Sequence, residues 1–85
     1  MPAKLKVERV QTGVRLEKRL LKVLKGLAEY LDISLTELLE GILLHELDGK
    51  SAFAGKKEIL QAIGRLKGVY RLNLDSSHAH RLQDS

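Results

Sequence analysis

The chain of 85 residues contains no cysteine and no tryptophan, and its few aromatic side chains are Tyr30, Phe53 and Tyr70. The lack of cysteine excludes disulfides and thiolate metal sites. Because aromatic rings are so scarce, we expect the core to be aliphatic, mostly leucine, which favours helices. The apolar content of 44% is ordinary for a globular protein, and the length fits one small domain.

Long hydrophobic runs are also missing. The longest apolar run, Ile42-Leu43-Leu44, is far too short to span a bilayer. The first ten residues alternate charged and apolar side chains, which is not the pattern of a signal peptide. We therefore expect a cytoplasmic protein without a membrane association.

Charge is distributed unevenly along the chain. Residues 1–26 carry eight Lys/Arg and two Asp/Glu, whereas residues 27–54 carry one and six. Residues 55–85 carry six and three, and the whole chain has a net charge of +4. A basic front and an acidic middle suggest a polyanionic partner for the front, although such a mix also keeps many small proteins soluble.

The front of the chain has the two-residue period of a β-strand. From about Val7 to Leu16, one face carries Val10, Thr12, Val14 and Leu16, and the other carries Arg9, Gln11, Gly13 and Arg15. A strand over residues 7–16 has no second strand nearby in the sequence, so its backbone hydrogen-bonding groups need a partner. The simplest partner is the same strand of a second copy, related by a two-fold axis.

Helical patterns follow. Leu20, Leu24, Leu27 and Leu31 form an apolar stripe, which predicts a first helix from Glu17 to Leu31 that ends at a left-handed Asp32. Ser34 and Glu37 have the spacing of a capping box and start a second helix that runs to about Leu47. That helix is apolar over much of its girth, so we expect it to be covered on several sides.

The remainder is less sharply patterned. A third helix is predicted from Lys57 to Lys67, followed by an extended segment over residues 69–74. We expect residues 1–6 to be a basic arm, residues 7–48 the main domain, residues 49–74 a helical extension, and residues 75–85 a flexible tail.

A ribbon made from two copies would expose its polar face. A two-stranded antiparallel ribbon fits the DNA major groove, where arginine pairs with guanine and glutamine with adenine. The same row of polar side chains is also what any exposed sheet face shows, so the pattern by itself leaves both interpretations open.

The order of parts resembles the ribbon-helix-helix family of Arc- and MetJ-type repressors. The likeness covers residues 7–48, with "VRL" at 14–16, "EKRLLKVLKGLAEYL" at 17–31, "DIS" at 32–34 and "LTELLEGILLHEL" at 35–47. It implies a mainly α fold: an intertwined homodimer with an intermolecular two-stranded antiparallel β-ribbon, here with an extra C-terminal helix. It also implies a DNA-binding transcriptional repressor or autoregulator, with two dimers possible on neighbouring half-sites.

Site residues follow from the resemblance. The base-reading positions fall on Gln11, Gly13 and Arg15, and the phosphate-binding helix start falls on Ser34, Leu35 and Thr36. We add Lys6, Arg9 and Lys18 as contacts to the DNA backbone. Gly13 departs from the family because it has no side chain: the reading is sparse, or the backbone approaches the DNA there, or this chain reads little sequence.

Other functions have weaker support. His78 and His80 would lie on one side of a strand, but nothing completes a metal site, so we expect no cofactor. No nucleophile elbow or phosphate loop is present, so we expect no enzyme. The alternative is an antitoxin-like or other protein-interaction dimer that binds a protein partner through residues 50–85.

Overall fold

The computed structural model describes residues 5–49 and 51–84. This part of the chain is mainly helical, with a small two-stranded parallel sheet. The elements are β1 (Leu5–Val7), α1 (Lys18–Leu31), α2 (Leu35–Leu47), α3 (Lys57–Tyr70) and β2 (Leu82–Asp84), with single 3-10 turns at Ser51–Phe53 and Ser76–His78. Residues 1–4 of the predicted basic arm, Lys50 and Ser85 lie outside the described residues.

The first two helices have the predicted boundaries. Asp32 ends α1 in the left-handed conformation, with φ 57° and ψ 42°, and its backbone N–H donates to the carbonyls of Ala28 and Glu29. Ser34 caps α2, because its Oγ accepts the N–H of Glu37 at 3.1 Å. Both ends therefore satisfy backbone groups that a helix terminus leaves unpaired.

The strand at the front differs from its prediction. We predicted residues 7–16, whereas β1 covers Leu5–Val7 and residues 8–17 have no regular secondary structure. A single chain offers residues 8–17 no neighbouring strand, so their backbone has no ladder to join. Pairing between two chains is a property of the dimer and stays a prediction.

The C-terminal segment is structured where we predicted a flexible tail. β2 pairs with β1 in parallel, with Leu5 opposite Leu82 and Val7 opposite Asp84. Asp48 at the end of α2 accepts the Ser76 N–H at 2.8 Å. The pKa of Asp48 is lowered by hydrogen bonds from the side chain and backbone of Ser76 and by the charge of Lys67. Residues 76–84 are thus fixed to both β1 and α2.

The third helix is longer than predicted and is loosely packed. It continues to Tyr70, so Val69 and Tyr70 are helical rather than extended, and Arg71 ends it in the left-handed conformation. No side chain of α3 is buried. Lys67 connects it to Asp48 at 3.6 Å. None of the helices in residues 5–49 and 51–84 is long and apolar enough to cross a membrane.

The buried core of the single chain is small. Its hydrophobic members within the described residues are Ala28 on α1, Leu38 and Leu44 on α2, and Leu82 on β2. α2 therefore lies between α1 and the C-terminal segment. Gly41 on α2 makes room for that segment, since a Cβ there would lie 3.3 Å from the ring of His80.

Two glycines after α2 allow a test of how α3 is attached. Gly49 and Gly55 both have positive φ, 81° and 76°, but a Cβ on Gly49 would lie 2.9 Å from Leu60 of α3, whereas one on Gly55 would meet nothing within 4 Å. We expect Gly55→Ala to lower the free energy of unfolding by about 1 kcal/mol, from backbone strain alone. Gly49→Ala should cost more because it also displaces Leu60. Urea denaturation measures both, and equal losses would contradict the contact.

Candidate nucleic-acid interface

Residues 8–14 run along the outer side of α2 and form an open groove with it. The groove has a volume of about 760 Å³. Its lining consists of the segment residues Glu8, Arg9, Val10, Gln11, Thr12 and Val14 and the α2 residues Thr36, Leu39, Glu40 and Leu43. The predicted ribbon segment and the second helix are therefore neighbours in the folded chain.

Apolar side chains of this groove face solvent. Val10 is 79% exposed, Val14 is 73% exposed and Leu43 is 57% exposed. The predicted apolar face of the ribbon is thus exposed to solvent in a single chain. The exposure continues at Leu16 just before α1, along α1 at Leu20, Val23, Leu27 and Leu31, and on α2 at Ile42. Exposed apolar surface of this extent indicates an interaction site, because burying each such side chain contributes roughly 1.5–3 kcal/mol.

The three positions that we predict to read bases lie on the exposed segment. Gln11, Gly13 and Arg15 are all exposed, as are Val10, Thr12, Val14 and Leu16 between them, so the single chain does not separate two faces of this segment. A Cβ at Gly13 would meet no atom within 4 Å, and Gly13 does not have a positive φ. Nothing within the described chain therefore requires glycine at this position.

The predicted phosphate contacts are spread over three elements. Lys6 is exposed on β1, and Lys18 is the exposed first residue of α1. Leu35 and Thr36 form the first turn of α2, whose N-terminus carries a partial positive charge. Thr36 lines the same groove as Gln11, so the structure brings together one predicted base-reading residue and one predicted phosphate-binding residue. Lys6 lies instead beside Asn73 and His78, in a separate depression.

Arg9 has a partner that the sequence did not predict. Its Nε donates to Oε2 of Glu40 at 2.9 Å, and its Nη2 donates to Oε1 at 2.8 Å. The same Nη2 also donates to the carbonyl oxygen of Leu82 at 3.2 Å. Arg9 is therefore occupied by α2 and β2, whereas we had predicted a contact with DNA phosphate.

Glu40 and Leu82 are the residues that sequence reasoning missed. Glu40 falls within the predicted second helix and Leu82 within the predicted flexible tail. Each is distant from Arg9 in the chain, by 31 and 73 residues. No local spacing rule connects residues so far apart, and the sequence offered no signal for either contact.

Glu17 caps the start of α1, immediately after the segment that we predict to form the ribbon. Its Oε1 accepts the backbone N–H groups of Leu20 and Arg19, each at 3.0 Å, and its Oε2 accepts Nε of Arg19 at 3.1 Å. The N–H of Leu20, the side chain of Arg19 and the N–H of Arg19 lower the pKa of Glu17. A carboxylate at this position also offsets the partial positive charge of the helix N-terminus.

The two histidines of the C-terminal segment have structural contacts. Nδ1 of His78 accepts the backbone N–H of Asp75 at 3.0 Å and so caps the turn at Ser76–His78. The ring of His80 lies against Gly41. Across residues 5–49 and 51–84, no group of three His, Cys, Asp or Glu residues is placed to hold a metal ion.

Comparison with known proteins gave no relative: no family model matches the chain, and neither does any curated protein or solved structure.

The cap at Glu17 makes the start of α1 sensitive to pH. Because the folded pKa lies below the ordinary value of 4.5, the stabilisation is complete above about pH 4.5 and is lost as the pH falls through the lowered pKa. An NMR titration of the Glu17 carboxyl carbon should report that lowered pKa. The amide resonances of Arg19 and Leu20 should move with the same midpoint. In Glu17→Gln this movement should disappear, and its persistence would contradict the cap.

Proposed function

We propose that the chain is a dimeric DNA-binding protein of the ribbon-helix-helix type that acts as a transcriptional repressor or autoregulator. In the dimer, residues 8–16 of two copies would pair as an antiparallel ribbon. Its apolar face would pack on the helices, and its polar face would enter the major groove. No catalytic residue or cofactor is part of this proposal.

The observation that carries the proposal is the uncovered groove between residues 8–14 and α2. It presents Val10 and Val14 from the segment and Leu43 from the helix to solvent. The same segment lacks a hydrogen-bonding partner strand in the described chain. A second copy supplies both needs at once, because it brings an identical strand and an identical apolar surface to a two-fold axis.

DNA recognition would come from the opposite face of the ribbon. Arg15 is suited to pair with O6 and N7 of guanine, and Gln11 with N6 and N7 of adenine. Gly13 would let the backbone come close to the DNA. Lys6 and Lys18 would contact phosphates, and the N–H groups at Ser34, Leu35 and Thr36 would hold a further phosphate at the start of α2. Two dimers side by side on neighbouring half-sites are compatible with this arrangement.

A second candidate function is a dimer that binds a protein through residues 50–85. The observation that favours it is the outer face of α3, where Ile59, Leu66, Val69 and Tyr70 are exposed. Basic side chains surround this face, at Lys56, Lys57, Arg65 and Arg71. A partner of this surface would therefore combine apolar contacts with an acidic rim, as an antitoxin-like interaction would require.

The dimer can be tested by placing a negatively charged side chain in the groove. Val14→Asp and Leu43→Asp each place a carboxylate on surface that a second copy would bury, at a cost of several kcal/mol, so we expect monomers at micromolar concentration. Val69 is similarly exposed, at 70%, but lies on α3 outside the groove, so Val69→Asp should remain dimeric. Sedimentation equilibrium measures the association. A monomeric natural chain, or equal loss in all three variants, would contradict the ribbon dimer.

DNA reading can be tested with duplexes selected from a random-sequence pool. With about six phosphate contacts, affinity should fall about a thousandfold between 50 and 200 mM salt. Arg15→Ala should cost roughly 1–3 kcal/mol on the selected duplex and relax its preference at one base pair. Arg19→Ala removes the same charge from a side chain that contacts Glu17, and it should leave the base preference intact. If the natural chain binds no duplex at low salt, the protein-interaction function replaces the repressor.

A further inference from the structure

Three separate parts of the chain meet at the guanidinium of Arg9. The residue itself lies two positions after β1, Glu40 lies in the middle of α2, and Leu82 begins β2. Two parallel hydrogen bonds of 2.9 and 2.8 Å join Arg9 to the Glu40 carboxylate, and a third of 3.2 Å joins it to the Leu82 carbonyl. We call this group of three residues the Arg9 clamp.

The geometry of the clamp is that of a strong interaction. A guanidinium that binds a carboxylate through two parallel N–H groups fixes both side chains in one orientation. The side chains of Arg9 and Glu40 are only 23% and 26% exposed, so water screens the pair less than it screens an ordinary surface ion pair. Lysine at position 9 has no planar fork and would not reproduce this set of contacts.

The clamp is continuous with the small sheet. β2 holds β1 in parallel, and Leu82, which is buried, both pairs with Leu5 and accepts from Arg9. The clamp at Arg9 therefore fixes the chain between the end of β1 at Val7 and the reading segment, residues 10–15. Since side chains alternate along a strand, a shift of one residue there would exchange the faces that carry Val10 and Gln11.

We infer that Arg9 and Glu40, together with the C-terminal strand, are positioning residues for the DNA-reading segment. They act through residues 10–15 and do not themselves touch DNA. In the single chain, Val10 and Gln11 both line the groove. In the proposed dimer, the clamp sets the register of the ribbon, so that Val10 and Val14 would pack on the helices and Gln11 and Arg15 would face outward. This inference rests on the proposed function, and it gives the C-terminal extension a role within the same site.

The substitution Glu40→Gln should change DNA affinity in opposite directions, depending on whether Arg9 contacts phosphate or positions the segment. If Arg9 contacted phosphate, Glu40→Gln would release it and remove a negative charge, so DNA would bind more tightly. If the clamp positions the segment, Glu40→Gln should weaken binding to the selected duplex by about tenfold, the loss expected from breaking a charged hydrogen-bonded pair. The sign of the change separates the two roles.

The binding experiment uses the full-length chain with Glu40→Gln, Arg9→Gln, Arg9→Lys and the double variant Arg9→Gln/Glu40→Gln. Each is measured on the selected duplex and on a scrambled duplex. We expect all four variants to have a lower ratio of affinity for the selected duplex to affinity for the scrambled duplex. In the double variant this ratio should be no lower than in either single glutamine variant, because both substitutions break the same contact. A role in stability only would lower both affinities equally and leave the ratio unchanged.

The control is Glu37→Gln, which removes the same charge from the same helix one turn earlier. Glu37 lies outside the groove lining, so this variant should keep the natural ratio of selected to scrambled affinity. A gain in affinity in Glu40→Gln, or an unchanged ratio in the clamp variants, would overturn the inference.

A second measurement does not need DNA. The N–H of Leu5 donates to the carbonyl of Arg81, so its hydrogen exchange reports whether the sheet is closed. In Glu40→Gln we expect faster exchange at Leu5 and over residues 82–84, and in Glu37→Gln no change. Unchanged exchange in Glu40→Gln would overturn the clamp. The clamp variants could open the sheet while the natural chain binds no duplex. That result would contradict both the proposed function and the role of the clamp in DNA reading. It would still support the contact of Arg9 with Glu40 and Leu82.

Discussion

The rest of this structure depends on one constraint: a single chain can bury only a few of its apolar side chains. The buried hydrophobic residues among those described are Ala28, Leu38, Leu44 and Leu82, and none of the large side chains is fully buried. The valines of the front segment and the outer leucines of α1 and α2 face solvent instead. A chain of this size buries a modest part of its surface when it folds alone, and the symmetric partner that we propose would cover the remainder.

The C-terminal segment changes how the front of the chain is understood. Within one chain, β2 gives β1 a parallel neighbour, and Asp48 and Gly41 hold the turn that leads to it. The Arg9 clamp then connects this sheet to α2. The small sheet, the clamp and the groove are therefore consecutive parts of one arrangement along residues 5–14, and residues 76–84 belong to it although they are the most distant part of the sequence.

Local signals predicted the helices well. The end of α1 was identified from Asp32 and the start of α2 from Ser34. A left-handed residue and a hydroxyl cap both act through backbone groups only a few residues away. The end of α3 was placed three residues early, since Tyr70, Leu72 and Leu74 alternate with Arg71 and Asn73 as strand residues do. The predicted alternation of faces along residues 7–16 stays a prediction, because Val10, Val14 and Leu16 are exposed together with Gln11, Gly13 and Arg15.

By itself, the sequence determined which stretches become helices, which residues share a face, and that the apolar surface exceeds what a small core can hold. These are properties of short-range periodicity and composition, so the chain carries them before it folds. Tertiary structure alone decided that Arg9 binds Glu40 and Leu82, and that residues 82–84 pair with β1. Those contacts join residues that are 31 to 77 positions apart, and their partners are selected by packing, which no local pattern encodes.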